Sequence, residues 1–355
     1  MITLHQLLKA MLEQNASDLH ISTASPPVLR VNGRMVRVKA KPLNNAESKQ
    51  LCYSVLTDVQ KSKFEEQKEL DFSFGVKNLA RFRANIFYQK GAVCGTFRQI
   101  PYQIPLLKDL GLPPVVGELT TKRNGLILVT GPTGCGKSTT LASMIDKINS
   151  DEYGHILTLE DPIEYLHSHK NCVVNQREVG PDTWNFKNGL KHLLRQDPDF
   201  VLVGEMRDQE AMEAVLTIAE TGHLVFATLH TNNAISTITR IVSVFGGDQQ
   251  ERIRVQLSFV LQGIISQELI AGVDSNRVLA AEVMIPNPAI RNLIREDKLH
   301  QVYSQMQVGQ TQTGMTTMNQ SLMGLLVRRK ISMKVAFDSS PDPEELDAML
   351  KKAGL

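Results

Sequence analysis

The residues best placed to do chemistry form one run, Gly131-Pro132-Thr133-Gly134-Cys135-Gly136-Lys137-Ser138, with Thr139 behind it. The spacing is G-x-x-x-x-G-K-[ST], a phosphate-binding loop. Glycine is needed at the bends because the backbone must wrap a phosphate closely and turn its N–H groups inward. Lys137 has the reach for β- and γ-phosphates, and the Ser138 hydroxyl is a hard oxygen suited to Mg²⁺. A glycine-rich turn with a chance lysine is the competing explanation, and the flanks weigh against it. Leu126 to Val129 is a short apolar run that reads as a buried strand, while Leu141, Met144, Ile145 and Ile148 recur at helical spacing. The loop therefore opens a helix, whose N-terminal dipole favours an anion. These residues predict binding of a nucleoside triphosphate with Mg²⁺. Cys135 reads either as a small residue tolerated in the loop or as a thiol activated by its amide dipoles.

Three further segments place polar groups at the ends of apolar runs. Asp199-Phe-Val-Leu-Val-Gly-Glu205 is a strand ending in a carboxylate, the position that supports the Mg²⁺ shell, directly or through water. His155-Ile-Leu-Thr-Leu-Glu160-Asp161-Pro162-Ile-Glu164 ends in clustered acids. They form either a solvated acidic loop or a water-positioning base with groups around a cation. Glu164 is the residue expected to position the attacking water, with Glu160 as the alternate; the residues alone do not separate them. Thr221-Gly-His223-Leu-Val-Phe-Ala-Thr228-Leu-His230-Thr231 brackets a third buried strand with histidines. His223 fits a structural role equally well. His230 follows the C-terminal end of its strand, where doubly wound sheets place ligands, and is expected to sense the γ-phosphate.

The elements that must hold these groups fall into two patterns. From residue 116 to 355, apolar strands alternate with helices (126–129, 137–148, 155–160, 187–195, 200–203, 208–220, 224–228, 233–244), the mark of a mostly parallel three-layer sheet. Residues 248–270 read as one long helical stretch, Arg277 to Ile285 as a strand, and the tail from 289 as short helices with a weakly ordered 338–344 segment. Residues 1–100 differ. Leu4, Leu7, Leu8, Met11 and Leu12 make an amphipathic helix, and Asp18 to Ser22 alternates as a strand. Asn32-Gly33 sits between two strand-like runs as a hairpin turn. Residues 46–67 read as helical, and 70–74, 80–88 and 92–100 as strands of a mainly antiparallel sheet. Pro101, Pro105, Pro113 and Pro114 mark 101–115 as the linker. Arg81 and Arg83 share a strand face, because side chains repeat every two residues; Arg98 stands in the next strand.

Composition narrows the class. A chain of 355 residues is long enough for two cores. No apolar run approaches the ~18 residues of a membrane span, and there is no signal-peptide pattern. A net charge of +2 supplies no general attraction to nucleic acid or anionic lipid. The four cysteines are scattered, which argues against a zinc ribbon or disulfide framework and fits a reducing compartment.

The phosphate loop, acidic box, strand-end glutamate and histidine box, in this order, resemble the secretion-ATPase superfamily, and within it the type IV pilus retraction branch. Ala16-Ser-Asp-Leu-His-Ile-Ser22, Gly204-Glu-Met-Arg-Asp208 and Ala289-Ile-Arg-Asn-Leu-Ile-Arg295 carry the same likeness. The resemblance implies a PAS-like N-terminal α/β domain, a RecA-like ATPase domain with C-terminal helices, and assembly as a homohexamer. It implies ATP as the nucleotide and a cytoplasmic motor for pilus retraction and twitching motility, peripherally bound to an inner-membrane platform protein and working beside an extension ATPase or a second retraction ATPase. It also implies that Arg83 and Arg98, with Arg81 as a further candidate, act as arginine fingers, and that the 289–295 helix serves retraction rather than hydrolysis. A pilus-extension or type II secretion ATPase is the near alternative, and a RecA-like nucleic-acid translocase the alternative of another class.

Overall fold

Leu4, Leu7, Leu8 and Met11 are fully buried along one face of the first helix, α1 (Leu4–Glu13), in a computed structural model that describes residues 2–31, 33–77, 79–100, 103–274 and 276–354. Each such side chain contributes roughly 1.5–3 kcal/mol by leaving water. Thr3 caps the helix through a reciprocal pair of hydrogen bonds with Gln6. The chain divides into compact units at Gln103/Ile104. The first continues with β1 (Ala16–Ile21), β2 (Val28–Val31), β3 (Arg34–Arg37), α2 (Asn45–Tyr53), α3 (Asp58–Gln67), β4 (Glu69–Val76), β5 (Ala80–Gln89) and β6 (Ala92–Ile100). Its antiparallel sheet runs β3-β2-β1-β6-β5-β4. Val31 pairs with Arg34, and Gly33 has φ +80°; Asn32 of the expected hairpin turn lies outside the described residues, as does Pro101. The single helix expected over 46–67 is two. The break comes at Thr57, which caps α3 and satisfies its first amides locally.

The second unit contains α4 (Val115–Leu119), β7 (Gly125–Thr130), α5 (Lys137–Asp151), β8 (His155–Glu160), β9 (Val173–Glu178), α6 (Phe186–Leu193), β10 (Phe200–Val203), α7 (Gln209–Glu220), β11 (Leu224–Leu229), α8 (Ala234–Ser243), α9 (Gly247–Val260), β12 (Leu261–Ala271) and β13 (Arg277–Met284). It ends in α10 (Pro288–Arg295), α11 (Val302–Met306), α12 (Gln310–Thr313), α13 (Met318–Val327), α14 (Met333–Asp338) and α15 (Pro343–Lys352). The sheet order is β13-β12-β7-β11-β10-β8-β9, parallel except for the β12–β13 pair. β7 and β11 are buried at every residue, which is why Leu126 to Val129 and Leu224 to Ala227 read as unbroken apolar runs. One core layer packs Leu141, Met144 and Ile145 of α5 against the sheet, and the other packs α7, α8 and α9 against its opposite face. This is a PAS-like unit followed by a RecA-like P-loop unit. No helix among the described residues is long and apolar enough to cross a membrane.

Two sequence expectations in this unit need correction. The helical stretch expected over 248–270 ends at Val260, and β12 then enters the sheet between β7 and β13. Buried Leu261, Ile264 and Ile265 satisfy a helical period and a two-faced strand equally, and only pairing with β7 decides. The 338–344 segment is not loose. Ser340 Oγ donates to Asn319 Oδ1 at 2.7 Å, and Asp342 caps α15 by accepting from the Glu345 amide at 3.0 Å.

Candidate nucleotide-hydrolysis site

Parallel pairing of β7, β11, β10 and β8 brings their C-terminal ends to one edge of the sheet. Residues 131–139, Glu160 to Glu164, Glu205 and His230 follow those ends and therefore meet there. Gly131 leaves β7 at φ +137°, and a Cβ on it would fall 2.2 Å from the Gln267 carbonyl oxygen and 2.7 Å from Cys135 Sγ. Gly134 and Gly136 also take positive φ, and Gly136 is the residue that opens α5. Lys137 folds back so that its ammonium donates to the carbonyls of Gly131 at 2.8 Å and Pro132 at 3.0 Å. Burial pushes its pKa down, opposed by the charges of Cys135 and Glu164. Ser138 and Thr139 lie half-buried on the first turn, with Thr139 Oγ1 2.9 Å from the Tyr165 hydroxyl. Pro132 and Thr133 are exposed at the rim.

Cys135 is buried, and burial raises its thiol pKa against the lowering effect of Lys137. Desolvation of a thiolate opposes the loop's dipoles here, which favours the small-residue reading over the activated thiol.

The acids separate by environment. Glu160 is buried at the end of β8, and burial pushes its carboxyl up to about 7. It accepts from Thr158 Oγ1 at 2.6 Å, Gln176 Nε2 at 3.3 Å and the Glu164 amide at 3.3 Å. Glu164 is exposed, with its charge acting on Lys137. Gly204 lets the end of β10 close on β8, since a Cβ there would lie 3.3 Å from Glu160 Cα. Glu205, the next residue, contacts Arg207 Nε and lies 3.2 Å from His230 Nε2. Burial, then the charges of Lys137 and Arg207, lowers the His230 pKa, and Nε2–H donates to the Glu205 carboxylate. Arg207 also pairs with Asp161 at 3.4 Å, joining the two acidic segments. His223 stands before β11, at the strand's other end, with Nδ1 3.1 Å from the Ile218 carbonyl, which favours a structural role.

Arg81, Arg83 and Arg98 belong to the first unit. Arg83 and Arg98 are directly opposed on β5 and β6, so their charges project side by side. Arg98 Nε donates to Asp18 Oδ1 at 2.8 Å, and Arg30 Nε lies 3.6 Å from Oδ2. Burial works to raise the Asp18 pKa, but hydrogen bonds from Arg98 and Ser17 and the Arg98 charge hold it below its ordinary value. Arg81 Nη2 donates to Ser73 Oγ at 2.6 Å.

Sequence reasoning assigned no role to Arg207, Gln176 or Gln267. Gln267 stands between Ser266 and Glu268 in the sequence, so nothing in its neighbours marks it out. Ser138 and Glu205 offer hard oxygens suited to Mg²⁺, and no group of three or more His, Cys, Asp or Glu among the described residues could hold a metal alone. That donor set fits Mg²⁺, which keeps waters and takes substrate phosphate oxygens.

A family model described as type II/IV secretion system protein matches residues 1–329. The chain is 48% identical over 339 residues to the type IV pilus retraction ATPase PilT of Pseudomonas aeruginosa, covering 96% of this chain and 98% of that one. It is 44% identical to a twitching motility protein of Neisseria gonorrhoeae, covering 90% and 86%. A crystal structure of the pilus retraction motor PilT with bound ADP superposes with a TM-score of 0.93 at 52% identity, covering 98% of this chain and 100% of that one.

Proposed function

Because the chain belongs to the type II/IV secretion system protein family, we propose that it is an ATPase that drives retraction of type IV pili. The observation that carries this reading is the likeness to a retraction ATPase, which runs nearly end to end through both units. ATP is held by residues 131–139, with Lys137 exchanging its loop carbonyls for β- and γ-phosphate oxygens. Ser138 and Glu205 hold Mg²⁺, the latter directly or through water; when bound, the ion neutralises phosphate charge. Glu164 positions the attacking water from its exposed place near Lys137, while buried Glu160 fixes the Glu164 backbone. His230 reads the γ-phosphate and passes its state through Glu205 and Arg207 to Asp161.

The working assembly is a cytoplasmic homohexamer docked on an inner-membrane pilus platform protein, beside an extension ATPase or a second retraction ATPase. Arg83 and Arg98, with Arg81 in support, reach the nucleotide of a neighbouring subunit. Deleting the gene and counting surface pili tests the direction of work. Excess pili with lost twitching is expected; loss of pili would assign the chain to extension instead.

A further inference from the structure

Gln267 stands on β12, only 2% exposed, where an apolar side chain would fill the space without desolvating an amide. Its hydrogen bond suggests why an amide is there. Nε2 donates at 2.8 Å to Thr140 Oγ1, itself 1% exposed, on the first turn of α5 two residues beyond Ser138. The backbone carbonyl of the same residue occupies the space beside Gly131, where any Cβ would collide with it. One residue thus touches the phosphate loop where it leaves β7 and where it enters α5. Cys135 Sγ packs into the same corner, so the loop has little room to shift against this contact.

We infer that Gln267 is a positioning residue for the phosphate loop: it holds the first turn of α5, which carries Lys137 and Ser138, in fixed register with Gly131. The inference rests on the loop being the ATP site proposed above. β12 also carries the brace outward. Ile270 of β12 and Ala280 of β13 pack in one cluster with Met318, Leu322, Leu346 and Leu350 of the C-terminal helices. Those helices therefore lean on the strand that steadies the loop.

The test is a double-substitution cycle read by steady-state kinetics, ADP affinity and melting temperature on the full chain. Gln267→Met keeps length and removes the hydrogen bond; Thr140→Val keeps shape and removes the hydroxyl. Each single change leaves one buried polar group unpaired and should lower kcat roughly tenfold, with a smaller loss of ADP affinity, because alignment of the transferring phosphoryl group suffers most. The double variant should be no worse than either single one, since no orphaned partner remains. Additive losses, or a lowered melting temperature with unchanged kcat in the folded variants, would overturn the inference. An unsubstituted chain without ATPase activity would instead overturn the proposed function.

Discussion

Glu160 and Glu164 are four residues apart in sequence and in opposite surroundings. An exposed carboxylate near the loop lysine can hold a water against the γ-phosphate; a buried one bonded to Thr158 and Gln176 cannot exchange partners cheaply. Glu164→Gln should therefore cut turnover by about 10²–10⁴ while ADP affinity stays within a few fold, measured by steady-state hydrolysis and fluorescent ADP binding. Glu160 makes a different prediction. Its carboxyl titrates near 7 in the folded protein against 4.5 in the open chain. Between those values the unfolded chain has released the proton and the folded chain has kept it. Stability from this group therefore falls as pH rises from about 4.5 to 7, by up to about 3 kcal/mol, and is level above that window. Glu160→Gln should remove that part of the slope. Urea unfolding of both proteins at pH 5 and pH 8 decides, and parallel slopes would contradict it.

At the scale of elements, α10 is tied to the end of α9. Arg291 Nη1 donates to the carbonyls of Ser258 and Phe259, in the last turn of α9, and the Arg295 guanidinium lies 5.8 Å from the Phe259 ring centre. Cations at a helix C-terminus satisfy its open carbonyls and its dipole. Burial lowers the Arg291 pKa, followed by the charge of Arg295. Ile290 and Ile294 enter the core while the arginines clasp the neighbouring helix. Arg291→Ala should destabilise this junction by about 1.5–3 kcal/mol, and Arg295→Ala by about 0.5–1 kcal/mol. Hydrogen exchange of the last α9 amides reads both, and equal protection in the two variants would refute the clasp.

For the whole molecule, the proposed arginine fingers and the phosphate loop lie in different units of the chain. Like charges directly opposed on adjacent strands repel, so the Arg83–Arg98 pair is costly by itself, and Asp18 offsets only the Arg98 side. An anion such as a phosphate would complete the balance. Arg83→Ala/Arg98→Ala chains and Lys137→Ala chains should each be nearly inactive, since a finger or a phosphate-loop lysine is worth orders of magnitude in turnover. Mixed assemblies should regain hydrolysis where an intact arginine face meets an intact loop. No recovery in demonstrated mixed rings would sink catalysis in trans.

The local code was strongest where a segment needs nothing beyond its own residues. The loop glycines, Lys137 and Ser138 announce a phosphate site because backbone geometry and charge are set within eight positions. β7, β8, β10 and β11 were legible because largely buried parallel strands are mostly apolar and are followed by, or end in, polar residues at the ligand edge. Tertiary structure decided the rest. β9 went unread because an edge strand of mixed residues, Val173 to Glu178, gains its identity only by pairing with β8. β12 passed for helix until pairing with β7 and β13 fixed its backbone. The contacts between Gln267 and the loop, Arg98 and Asp18, and Glu205 and His230 join residues 25 to 136 positions apart. Residue types determined what chemistry this chain can do; chain folding over those separations determined which groups meet to do it.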